Sequence, residues 1–435
     1  SSHATMVGRT CYSLEEGLAP GITFINAWTV NSWKAVGYMH SGQGAGTPPD
    51  EAMGAQKIWN HAWVGTTGNT AADHDLLRRL DWVVSRDDVI VVVGLNNGTD
   101  QQPLLSYGFN TISVGRRDGD HASGDVPGGY DGAGRMKPDI TGPLFLTSET
   151  TATISAAAAM LVQQVRDDES LPVEAESPEV VKAILMASAI HNGVSGETWT
   201  NNAVEDGDDR GLTDRPLDAT VGAGHLDVNR SHLVMSAGQQ PGAASGEAPA
   251  GQAGWSLETI SPGEQRSWLI ESAGTTAEFS ALITWNRVVA NSFAGFTLAD
   301  MDLELLRLTA DGEISTLYGI RGVDSFDGGN IASRSTVDNV EHLSITGLQP
   351  GRYILQITRP DGDSGGNDIP VGIAWYGSDP VIDADVDGDA SIGVLDLLEL
   401  LMRWGSCDLC GADLDGSGIV DAVDLSLLID AWLAL

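Results

Sequence analysis

A chain of 435 residues is too long for one hydrophobic core, and a composition 42% hydrophobic and 19% charged belongs to folded rather than disordered protein. Its 60 acidic residues against 23 basic ones give a formal charge of −37, a field that repels nucleic acid and anionic membranes and draws in cations. No apolar run reaches the ~18 residues of a membrane span, no signal peptide is visible, and three cysteines leave the redox compartment open.

In chain order, residues 1–238 alternate short apolar runs with helical stretches. The runs Ile22 to Trp28, Lys57 to Trp63, Val89 to Leu95 and Thr111 to Val114 read as buried strands, which predicts an α/β domain on a parallel sheet. Residues 239–254 are Gly, Ala, Pro, Gln and Ser with almost no bulky side chain and read as a linker. Residues 255–378 switch to period-two alternation, as in Phe279, Ala281, Ile283 and Trp285, with turn signals at Asp311-Gly312 and Gln349-Pro350-Gly351; this predicts an all-β sandwich.

The last segment, 382–435, is a duplicated acidic motif. Asp385, Asp387, Asp389 and Asp396 occupy positions 1, 3, 5 and 12 of a twelve-residue loop, and Asp413, Asp415, Ser417 and Asp424 repeat that spacing 28 residues later. Glycines, leucines and Trp404 with Trp432 repeat at the same offset. Alternate residues of a tight loop turn hard oxygen ligands inward, so Ca²⁺ is the expected ion; Gly418 fills the turn position of the second loop and Ala390 that of the first. Cys407 and Cys410, between the loops, suit a disulfide better than a zinc site, because no Cys or His follows to complete four ligands. Two such loops, each leading into a helix, resemble type I dockerins over residues 383–435. The resemblance implies docking to a cohesin-like or cell-surface partner, although the positions dockerins use for partner choice are apolar here: Val394, Leu395, Ala422 and Val423.

Upstream, His3-Ala4-Thr5-Met6-Val7-Gly8 is followed by Gly17-Leu18-Ala19-Pro20-Gly21, then Val91 to Gly98 with Asn96 and Asn97, Asn110 to Gly115, and Lys137-Pro138-Asp139-Ile140. Thr147-Ser148 then opens an alanine-rich run ending at Met160. These motifs, in this order, resemble those of subtilisin-like serine proteases. The resemblance implies a nucleophile at Ser148, a proton shuttle at His3, an oxyanion donor at Asn96 with Asn97 as its neighbouring alternative, and a substrate-pairing segment at Ala62, Trp63 and Val64. A second register would make Thr150 the nucleophile at the expense of the Thr-Ser pair. Leu146 and Ala152 replace the family's glycine before and proline after that pair, and the orienting aspartate, which precedes the histidine in this family, is expected upstream of His3. His61 reads as structural, and His121 and His225 as polar loop residues.

The whole is therefore expected to be a parallel-sheet, subtilisin-like three-layer α/β domain, an all-β sandwich and a small all-α calcium-binding dockerin module. The expected function is a secreted or cell-surface serine endopeptidase acting on polypeptide, set by analogy beside polysaccharide breakdown. The alternative is a noncatalytic surface or assembly protein in which the first domain is a spacer.

Overall fold

The computed structural model describes residues 2–54, 56–191, 199–309, 311–317, 326–363, 368–378, 384–388, 391–407 and 410–433. Asp389 and Ala390 of the first acidic loop lie outside the described residues.

Three of the four apolar runs become adjacent parallel strands. Ile58–His61 pairs with Ile90–Gly94, that strand pairs with Ile112–Gly115, and the short Ile140–Thr141 closes the sheet. Ile90–Gly94 is buried along its whole length, as a strand covered on both faces must be. One cover is the helix Thr70–Asp87, capped by Asn69 and presenting Leu76, Leu80, Val83 and Val84 to the strands. The other is the 21-residue helix Thr147–Asp167, whose Ala156, Ala157 and Ala158 are buried and bring it close to the sheet. The helix Ser2–Tyr12 packs against that alanine face through Cys11, with Ala19 beside Ala152 and Ala156.

The expected fold class is corrected here. Ile22 to Trp28 forms no strand, so the parallel sheet is four-stranded, and most strands among the described residues belong to antiparallel sheets, with eight α-helices of 3 to 21 residues among them. There is no clear subtilisin-like α/β core. Nor is the C-terminal segment all-α: Gly405–Ser406 pairs antiparallel with Ile419–Val420 between its two helices. The physical reason is that apolar runs announce burial and not their partners. An isolated run such as Ile22 to Trp28 becomes a strand only where a neighbour satisfies its backbone, and Phe24, Ile25 and Trp28 are instead exposed.

The sandwich has a five-stranded sheet in the order Gly328–Asn330, Val340–Leu348, Thr276–Trp285, Ile369–Gly377, Ala253–Ile260. Facing it is a second sheet built on Asp302–Leu308, Gly351–Thr358 and Gln265–Ser272. Between them lie Trp268, Trp285, Trp375, Phe279, Leu303 and Leu355, all fully buried; burying a side chain of this kind contributes about 1.5–3 kcal/mol. Residues 239–254, read from composition as a linker, are built into this body: Ala248–Ala250 pairs in parallel with Gln265–Ser272, and Trp268 donates its indole N–H to the Gln240 carbonyl.

The sandwich and the parallel-sheet region interlock. Leu212–Thr213 adds an edge to the second sheet, and Arg287, fully buried, donates to Asp81 on the helix Thr70–Asp87 while exchanging backbone bonds with the Asn110 side chain. Gly372 is required where it stands, because a Cβ there would fall 2.4 Å from the Glu179 backbone at the start of the helix Pro178–Ala187. Gly416 has φ +68° and lies against the Pro350-Gly351 turn, which seats the second acidic loop on the sandwich.

Candidate functional site

His3 and Ser148 are 145 residues apart in sequence, yet Nε2 of His3 lies 2.9 Å from Oγ of Ser148. Two packed helices make this contact: Ser2–Tyr12 carries the imidazole in its first turn, and Ser148 is the second residue of Thr147–Asp167. A hydroxyl in that position sits at the positive end of the helix, among backbone N–H groups with no intrahelical acceptor. The N–H of Ser148 is engaged by no acceptor among the described residues, whereas those of Glu149 and Thr150 both reach the Leu146 carbonyl.

Beside the pair is a cavity of about 230 Å³ lined by His3, Ala62, Trp63, Val64, Gly94, Leu95, Asn97, Thr147 and Ser148. Ala62, Trp63 and Val64, expected to meet substrate, therefore border the serine. Asn96 does not. Its side-chain NH₂ donates to the Asp100 carbonyl and its own carbonyl accepts from Ala122, so the residue is committed to the loop beyond the strand. The alternative, Asn97, lines the cavity: its Oδ1 accepts the Thr147 N–H at 3.1 Å, and its NH₂ is left as a donor without a partner among the described residues. The Asn97 amide and the Ser148 N–H are thus two hydrogen-bond donors bordering the same cavity as the Ser148 hydroxyl.

Thr150 is excluded as nucleophile by its surroundings. It is fully buried and its hydroxyl donates back to the carbonyls of Leu144 and Leu146. Sequence reasoning missed Gly94, Leu95 and Thr147 as parts of the site. Gly94 admits the nucleophile helix, since a Cβ there would meet the Thr151 hydroxyl at 2.8 Å, and a glycine ending an apolar strand was the available signal.

His61, His121 and His225 are buried in the fold. Burial pushes His61 down to about 3, so its neutral ring accepts the Trp63 indole N–H at Nδ1, 3.1 Å away. His121 accepts from Arg116 N–H at Nδ1 and meets the Thr220 carbonyl at Nε2, and His225 Nδ1 lies 2.6 Å from the Thr141 hydroxyl. No carboxylate among the described residues reaches Nδ1 of His3.

A second constellation lies in the C-terminal segment. Carboxylate oxygens of Asp385, Asp387 and Asp396 lie within 4.8 Å of one another, as do those of Asp413, Asp415 and Asp424. In each loop the last aspartate opens a helix and ties the loop to it: Asp396 accepts from Asp387 and Gly393 N–H groups, and Asp424 from Leu414, Asp415 and Asp421. Ser417 donates to Asp413 at 3.5 Å, and Asp413 also accepts from the Gly418 N–H. Burial, reinforced by the facing Asp424 and Asp415, raises Asp413 to about 6. Three converging carboxylates, one of them buried in the first loop and two in the second, are a donor set suited to a hard divalent cation. Cys407 and Cys410 are joined by a disulfide, and the Cys407 N–H bonds to the Gly418 carbonyl of the second loop.

No family model matches the sequence, and no curated protein matches it significantly. Among solved structures, a Sulfurospirillum deleyianum protein is similar over 28% of this chain and 97% of its own, at 9% identity and a TM-score of 0.17. A β-1,3-glucan-binding family 6 carbohydrate-binding module from Bacillus halodurans covers 29% of this chain and 86% of its own, at 10% identity and a TM-score of 0.16. A Clostridium cellulolyticum family 6 module solved with xylose covers 32% and 97%, at 11% identity and the same TM-score of 0.16. At such scores the likeness assigns neither fold nor ligand.

Proposed function

We propose that the chain is a serine endopeptidase carrying a calcium-binding docking module. The observation that supports this most is the 2.9 Å contact between His3 Nε2 and Ser148 Oγ at the head of a helix, in a cavity with two free hydrogen-bond donors. Ser148 Oγ attacks a peptide carbonyl carbon and its proton passes to His3 Nε2. The carbonyl oxygen takes up the displaced electron pair beside the Asn97 amide and the Ser148 N–H. Collapse breaks the C–N bond, His3 returns the proton to the departing amine, and water attacking the acyl-enzyme by the same route releases the acid and restores Ser148. Ala62, Trp63 and Val64 border the path of an extended substrate.

Among the described residues no carboxylate meets Nδ1 of His3; a serine, an imidazole and oxyanion donors without an orienting carboxylate work about 10⁴-fold below a complete triad. Leu146 and Ala152, standing where the resemblance expects a glycine and a proline, favour the second reading, a noncatalytic surface protein using the same cleft for binding. Peptide hydrolysis by the full chain, abolished by a fluorophosphonate, supports the enzyme; binding of unfolded polypeptide without any hydrolysis or acylation supports the alternative.

Asp385, Asp387 and Asp396, completed by Asp389, would hold one Ca²⁺, and Asp413, Asp415, Ser417 and Asp424 a second. The ion supplies the positive charge that lets these carboxylates converge. Exposed Val394, Leu395, Leu398, Leu401 and Met402 along one helix, with Val423, Ile429 and Leu433 on the other, support docking to a cohesin-like or cell-surface partner. No helix among the described residues is long and apolar enough to cross a membrane. A secreted or cell-surface location is part of the proposal.

A further inference from the structure

We infer that the cleft selects a small, uncharged, apolar side chain on the residue whose carbonyl is attacked, with Val64 and Leu95 setting the limit on its size. The inference rests on the acyl-transfer reading of the site. Once a carbonyl lies against Ser148, its oxygen is fixed toward the Ser148 N–H and Asn97, and the side chain next to it is left the part of the cavity walled by Ala62, Trp63, Val64 and Leu95.

That part offers nothing to a charge. His3 is the only ionisable residue in the lining, and it is engaged with the nucleophile. A lysine, arginine, aspartate or glutamate side chain entering there would be desolvated without a partner, which disfavours its charged form.

Size is restricted independently. The cavity of about 230 Å³ must hold the reacting carbonyl and its backbone as well as the side chain, and Val64 and Leu95 place branched side chains on its walls. The walls are also held in place. Leu95 is 2% exposed at the end of a fully buried strand. Trp63 is pinned by its indole bond to the neutral His61 and packs edge-on against Trp33, with ring centroids 6.2 Å apart. A bulky aromatic side chain would have to displace packed groups, at a cost of the kind met in overfilled cores.

The test uses the full chain and a series of peptidyl diphenyl phosphonates that differ only in the reacting residue, as Ala, Val, Phe, Lys and Glu analogues. Phosphonylation at Ser148 is followed as a second-order rate. The Ala and Val probes are expected to react at least about tenfold faster than the Phe, Lys and Glu probes. Val64→Gly and Leu95→Ala are expected to raise the Phe to Ala ratio about tenfold each; Val64 is half-buried, so its variant guards against a folding defect at Leu95. Equal rates for Phe and Ala in the unaltered chain, or a ratio unmoved in both variants, overturns the inference while leaving the acyl-transfer reading standing. If a small unselective fluorophosphonate also fails to modify Ser148 in the folded protein, that reading falls and the inference falls with it.

Discussion

The serine cleft and the acidic loops assemble their groups in opposite ways. His3 and Ser148 meet across 145 residues because two helices pack through alanines, and the contact exists whether or not a substrate is present. Each acidic triad is drawn from a dozen consecutive residues, so its members are neighbours by covalent connection and, when ionised, repel one another unless a cation lies between them. A non-local site spends packing energy to be ready, and a local one uses its ligand to become ordered.

The comparison sharpens most through the imidazole. His3→Ala should lower the acylation rate of Ser148 by about 10³-fold or more with no change in the thermal unfolding midpoint, since the side chain is exposed and serves only the hydroxyl. A fall in midpoint that tracks the fall in rate would make the contact structural. Next in size, Asn97→Ala should cost about 10²–10³-fold in acylation rate, and Asn96→Ala less than about threefold. Equal losses would mean that the donor assignment at the end of the strand is incorrect.

For the loops, Asp413→Ala should remove one calcium from the stoichiometry measured by calorimetry and leave acylation unchanged. Unaltered stoichiometry would exclude the second triad as a cation site. The smallest effect is the dependence of stability on pH without calcium. Asp413 is raised to about 6 in the fold from an ordinary value near 4, so the folded state holds its proton more tightly than the unfolded one. The resulting stabilisation is complete below about pH 4 and is lost as pH rises through 6. Hydrogen exchange over residues 411–433 should therefore be faster at pH 7 than at pH 5, after correction for intrinsic rates, and calcium should abolish the difference. Slower exchange at pH 7 in the calcium-free protein would reverse the sign and contradict the account.

What could be read in advance follows the same division. The positions of the acids were legible because twelve-residue spacing is itself the geometry. Ser148 was legible from the Thr-Ser pair and the alanines behind it, which describe a helix that must lie close to something. The partners of the strands were not. Ile22 to Trp28 has the composition of a strand but no neighbour, and the residues after Ala237 look like a linker although Ala248–Ala250 finds an edge to pair with. Composition reports what a segment could bury, whereas pairing depends on what the rest of the chain leaves open. The choice between Asn96 and Asn97 was not legible for a sharper reason. Adjacent residues leaving a strand face opposite ways, so a register known to one residue still leaves the donor undecided.

The account stands on Ser148 being the nucleophile, and mass-spectrometric mapping of a fluorophosphonate adduct on the folded, calcium-loaded chain tests that most directly. A single adduct on Ser148, formed at a rate that collapses in His3→Ala, is the expected result. No adduct, or one on another hydroxyl such as that of Thr150, would contradict it.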